Sequence, residues 1–132
     1  MIGIRVEAKL NVCIVEDNEL VRDSLEMLCT AKNFATDSFA SAEEFRSQPN
    51  RDFACFVLDY RLPGISGFEL LKQIRESGTG SDTPAILISG NFNRPTIDDA
   101  AQFTNAVCLS KPFRPSELIA LLNKVSVGAP IS

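Results

Sequence analysis

Four short apolar runs in this sequence each end in residues that can do chemistry. LNVCIV is followed by Glu16 and Asp17, FACFVL by Asp59, AILI by Ser89, and AVCL by Ser110 and Lys111. Three carboxylates, a hydroxyl and an amine would make one site if the fold brought these ends together. Two carboxylates about 4 Å apart repel by roughly 4 kcal/mol at an effective dielectric of about 20, and Lys111 offsets only part of three negative charges. Such a cluster calls for a divalent cation. Oxygen donors without imidazole or thiolate suit Mg²⁺, Mn²⁺ or Ca²⁺. A cation, a lysine and a hydroxyl can together take the oxygens of a phosphoryl group, and a carboxylate can be the nucleophile that forms an acyl phosphate. Singly, each signal is weak. An Asp after a strand is more often a turn residue or a helix cap, Lys-Pro is a common loop pair, and Ser-Gly is simply a turn. The set carries the argument.

The elements that must position these residues follow from the hydrophobic pattern. Leu10 to Val15, Phe34 to Phe39, Phe53 to Leu58, Ala85 to Ile88 and Ala106 to Leu109 read as strands. Between them run amphipathic stretches at helical spacing. Asn18 is an N-cap for the first, Ser41 with Glu44 and Ser66 with Glu69 form capping boxes, and Gly78 and Gly80 end the third helix. Thr96 to Phe103 is a weaker helix, and Pro115 suits the first position of the last. Five strands strictly alternating with five helices predict an α/β fold, a doubly wound parallel sheet covered on both faces. Ligands of such sheets bind beyond the carboxyl ends of the strands, which is where the chemical residues stand.

Composition narrows the function. The chain has 132 residues, enough for one domain, with 13 basic against 17 acidic residues and a net charge of −4. That balance argues against a nucleic-acid surface on this domain. Histidine is absent, which excludes histidine-based triads, imidazole-ligated metals and a phosphohistidine on this chain. Cys13, Cys29, Cys55 and Cys108 form no Cys-x-x-Cys pair and read as buried thiols of a reducing cytoplasm. No apolar run approaches the ~20 residues of a membrane span, and the start of the chain does not read as a signal sequence. A cytoplasmic location is expected.

The motifs VEDN (Val15 to Asn18), VLDYRLPGISG (Val57 to Gly67), LISG (Leu87 to Gly90) and SKPF (Ser110 to Phe113) resemble the receiver domains of bacterial two-component response regulators. SAEEF (Ser41 to Phe45) is similar in style to receivers of FixJ-type transcription regulators. The resemblance spans residues 10–125, leaving 1–9 as an N-terminal extension and 126–132 as a tail or the start of a linker. It implies a flavodoxin-like (βα)5 three-layer sandwich with strand order 2-1-3-4-5. It also implies that Asp59 accepts a phosphoryl group from a histidine kinase or a histidine-containing phosphotransfer protein. By the same resemblance Glu16, Asp17, Asp59 and the backbone carbonyl of Arg61 hold Mg²⁺ (or Mn²⁺), Ser89 and Lys111 bind the phosphoryl oxygens, and the Lys111–Pro112 bond is cis. The fourth helix, fifth strand and fifth helix are the expected face for an output domain or a homodimer. Enzymatic activity beyond self-phosphotransfer and autodephosphorylation is not expected.

There are departures from the pattern. Cys108 stands where the family usually carries a switching aromatic residue, and Thr104 replaces the usual glycine before the fifth strand. They motivate a competing reading, an interaction module of the same fold that works without phosphorylation. A phosphatase would need an acid two residues after the nucleophile, where this chain has Arg61. A nucleotide or flavin site would need glycines where Glu16 and Asp17 stand.

Overall fold

The computed structural model describes residues 9–48, 52–78, 82–90 and 94–132, with the side chains of 94–97 set aside. Ten elements alternate along the chain: β1 (Asn11–Val15), α1 (Glu19–Ala31), β2 (Ala35–Phe39), α2 (Ala42–Arg46), β3 (Cys55–Asp59), α3 (Gly67–Glu76), β4 (Ala85–Ser89), α4 (Arg94–Ala101), β5 (Ala106–Ser110) and α5 (Pro115–Ser126). The five strands form one parallel sheet in the order β2-β1-β3-β4-β5. The doubly wound fold and the strand order are as expected.

Alternation of side chains across the sheet divides the core in two. Val12, Ile14, Val57, Ile86 and Ile88 pack with Leu25 and Cys29 of α1 and Leu118, Leu122 and Val125 of α5. Cys13, Val15, Phe56, Leu58 and Leu87 pack on the other face with Leu70, Leu71 and Ile74 of α3, Ala42 of α2 and Ala100 of α4. Every residue of β3 and β4 is buried, as continuous apolar strands require.

The helices begin at the expected caps. Asn18 accepts from the Val21 amide, Ser41 from Glu44 and Ser66 from Glu69, all at 3.1 Å. The helix α3 closes at Gly78, whose φ of +86° suits glycine; Gly80 lies outside the described residues.

Boundaries differ where hydrophobicity runs past the ladder. Phe53 and Ala54 precede β3 although they extend its apolar run. Phe53 is used instead in an edge-to-face contact with Phe56, with ring centroids 5.4 Å apart. Helix α4 starts at Arg94, before Thr96, and ends at Ala101, before Phe103; Phe103 instead packs against Phe68 of α3. The tail, read as a tail or the start of a linker, packs against the domain. Ser126 still belongs to α5, and Ile131 is 4% exposed, lies in the core and donates its amide to Asn105 Oδ1 at 2.8 Å.

All four cysteines are free thiols. Burial pushes the Cys13 and Cys55 thiols far up and Cys29 to about 11, so they behave as small apolar side chains. No helix among the described residues is long and apolar enough to cross a membrane.

Candidate functional site

The carboxyl ends of β1, β3, β4 and β5 meet at one edge, and each is held there by its own hydrogen bonds. Glu16 follows β1, and its amide donates to Phe39 O of β2 at 3.0 Å. Its carbonyl accepts from Arg22 Nη1 at 2.8 Å, and its Oε2 accepts from the Asn18 amide at 3.2 Å. The residue is 1% exposed. Asp17 projects into solvent beside it. Asn18 therefore does two jobs, capping α1 and fixing the Glu16 carboxylate.

Asp59 is the last residue of β3 and is buried. The chain beyond it is locked by backbone bonds: Tyr60 donates to Ile88 O at 2.7 Å, and Gly67 donates to Tyr60 O at 2.8 Å. A side chain at position 67 would place its Cβ 2.2 Å from Asp59 O. Glycine is required there by close approach of two backbones. Arg61 lies two residues beyond Asp59 and donates its amide to Asp59 Oδ1 at 3.3 Å.

Ser89 ends β4 and is 1% exposed. The register pairs Asp59 with Ile88, so Ser89 stands one step beyond the carboxylate on the neighbouring strand. Its carbonyl accepts from the Lys111 amide at 2.9 Å. The Lys111–Pro112 peptide is cis, as expected.

The structure brings the predicted residues together. Carboxylate oxygens of Glu16, Asp17 and Asp59 all lie within 4.8 Å of one another. Lys111 Nζ is 2.8 Å from Glu16 Oε1 and 3.3 Å from Asp59 Oδ1. Burial, then the hydrogen bond and charge of Glu16, push the Asp59 carboxyl up to about 7, against the opposing pull of Lys111 and the Arg61 amide. Burial pulls Lys111 down, but its bond to Glu16 and the charges of Asp59 and Glu16 outweigh that and leave it raised. One amine does not satisfy three clustered carboxylates. The all-oxygen donor set, two of its members buried, fits a hard divalent cation.

A model of the response regulator receiver domain matches residues 12–123. The chain belongs to the response regulator receiver family. Among its curated relatives, the transcriptional regulatory protein FixJ of Bradyrhizobium diazoefficiens is 30% identical over 115 residues, covering 86% of this chain and 55% of that protein. The response regulator protein TodT of Pseudomonas putida is 30% identical over 120 residues, covering 90% of this chain and 52% of that protein. This receiver thus spans about half the length of those relatives. The chemotaxis protein CheY4 of Vibrio cholerae superposes with a TM-score of 0.80 at 22% identity, over 89% of this chain and 99% of that one. The receiver domain of the Pseudomonas aeruginosa sensor histidine kinase PA1611, solved with magnesium coordinated in its active-site cleft, gives 0.78 at 24% identity, over 90% and 99%.

Two features of this receiver escaped the sequence reading. Arg22 holds the Glu16 carbonyl from six positions further on, a contact without a motif. Tyr60, next to Asp59, donates its hydroxyl to Asp99 of α4 across 39 positions. No spacing rule pairs those two residues.

Proposed function

We propose that this receiver is a phosphorylation-controlled switch in two-component signalling, with Asp59 as phosphoacceptor. The observation that carries this reading is the convergence of Glu16, Asp17, Asp59 and Lys111 at one end of the sheet. An ionised Asp59 oxygen attacks the phosphorus of a phosphohistidine on a histidine kinase or phosphotransfer protein. The new O–P bond forms as the P–N bond breaks, and the imidazole leaves with the electron pair. Glu16, Asp17, Asp59 and the Arg61 carbonyl are the residues that would hold Mg²⁺ or Mn²⁺, which supplies positive charge to the phosphoryl oxygens. Lys111 and Ser89 take the remaining oxygens, and Lys111 also favours the ionised form of Asp59.

Chemistry on this chain is limited to receiving and losing its own phosphoryl group. The kinship with FixJ and TodT supports a cytoplasmic role in transcriptional control, with an output domain or a second copy engaged through α4, β5 and α5. DNA contact would belong to the output domain, since the receiver is acidic. The test is incubation with a small acyl phosphate and Mg²⁺. Wild-type protein is expected to gain one acid-stable, base-labile phosphate, and Asp59→Asn none. Equal labelling of both proteins would sink the assignment.

A further inference from the structure

Phosphorylation at Asp59 is useful only if another surface responds, and the fifth strand offers only the small side chains of Ala106 and Cys108 on this packed face. The side chain that does cross from the acceptor loop to α4 is Tyr60. Its backbone is fixed on both sides, by Ile88 O and by the Gly67 amide. Its hydroxyl donates to the Asp99 carboxylate on α4. Burial, and then the charge of Asp99, push the Cys108 thiol up, so Tyr60, Asp99 and Cys108 occupy one neighbourhood.

We propose that the Tyr60–Asp99 hydrogen bond is a latch that holds α4 in its resting position and is released when Asp59 carries a phosphoryl group. This inference rests on the proposed function. The physical argument is one of fixed and movable ends. Tyr60 cannot follow a displacement, because its peptide groups belong to the β3–β4 ladder and to the start of α3. Helix α4 can, because it lies outside that ladder and rests on the sheet through side-chain packing such as that of Ala100. When the Ser89 hydroxyl closes on the phosphoryl oxygens, α4 shifts on that packing while Tyr60 stays in place. The bond between them must then lengthen. A two-state element biased at one end by added charge is what such a switch requires.

The chain offers its own probe. It contains one tyrosine and no tryptophan, so its intrinsic fluorescence reports Tyr60 alone. A phenol bonded to a carboxylate is quenched, because its excited state passes its proton to that acceptor. Beryllofluoride with Mg²⁺ is expected to raise the emission of the wild type about twofold as the latched population empties, with Mg²⁺ alone as control. Asp99→Ala should be bright without the mimic and rise no further. Tyr60→Phe and Asp99→Ala should both show, in their resting state, the amide hydrogen exchange of α4 that the wild type shows only with the mimic. Phosphoryl uptake is measured in parallel and should be the same in all three proteins. If the wild type takes up phosphate but its emission does not change, the latch is wrong while the proposed function stands. It is equally wrong if the α4 exchange of both variants stays at the resting wild-type level, or if either variant loses phosphoryl uptake. If the wild type itself takes up no phosphate, the proposed function fails and the latch fails with it.

Discussion

Lys111 sits closer to Glu16 than to Asp59, at 2.8 Å from Glu16 Oε1 against 3.3 Å from Asp59 Oδ1. In the resting receiver its charge is therefore spent mainly on the carboxylate next to β1. Removing the amine leaves two buried carboxylates facing each other. Lys111→Ala is expected to destabilise the metal-free protein by about 2 kcal/mol, below the full cost of breaking a buried pair because the lysine side chain is 25% exposed. Urea denaturation in EDTA checks this, and added Mg²⁺ should recover part of the loss.

The raised carboxyl of Asp59 gives a pH signature with a definite sign. Its folded value is about 7, against about 3.9 for a free aspartate. A raised acid binds its proton more tightly in the folded state, so ionisation opposes folding. The cost is absent below about pH 4, grows between 4 and 7, and is complete above 7. In EDTA, Asp59→Asn should therefore equal the wild type near pH 4 and exceed it by about 1–2 kcal/mol above pH 7. A stability difference that is flat with pH would contradict this.

Metal addition should act on the same charges. At about 100 times its dissociation constant, Mg²⁺ is expected to stabilise the wild type by about 2.7 kcal/mol at pH 8, and EDTA should reverse it. Asp17→Asn removes a solvent-facing donor that carries no packing role, so its effect isolates ligation. It should weaken Mg²⁺ binding about tenfold or more, read by calorimetric titration.

Gly67→Ala tests how tightly the loop beyond the acceptor is held. The added Cβ would meet the Asp59 carbonyl oxygen at 2.2 Å and its carbon at 2.9 Å. Backbone must move, and the moving residue is Asp59 itself. A loss of about 3 kcal/mol is expected, together with reduced phosphoryl uptake from acyl phosphate.

Ile131→Ala distinguishes a docked tail from a linker. Ile131 is 4% exposed and is anchored by its amide to Asn105. Truncating a buried isoleucine costs about 2 kcal/mol or more, whereas truncation in a free linker costs nothing. The urea midpoint should fall with phosphoryl uptake unchanged.

Much of this receiver is determined by local sequence. Continuous apolar runs such as FACFVL cannot tolerate water on either face, so they predict a covered parallel sheet. Asn18, Ser41 and Ser66 satisfy helix amides within three residues of themselves, so their roles are visible without a fold. The strand ends then put Glu16, Asp17, Asp59, Ser89 and Lys111 on one edge by topology alone.

Tertiary structure decided what depends on distance between elements. Phe53 and Phe103 look like parts of a strand and a helix because hydrophobicity does not say where a ladder or a helix stops; Phe53 instead meets Phe56 of β3 edge to face, and Phe103 packs against Phe68 of α3. Gly128 and Pro130 give the tail the composition of a linker, yet the Ile131 amide bond to Asn105 and its core contact hold it against the domain. The preference of Lys111 for Glu16, the elevation of Asp59 and the bond from Tyr60 to Asp99 all arise from through-space approach and burial. Those are properties of the assembled sheet edge, and no periodicity in the chain encodes them.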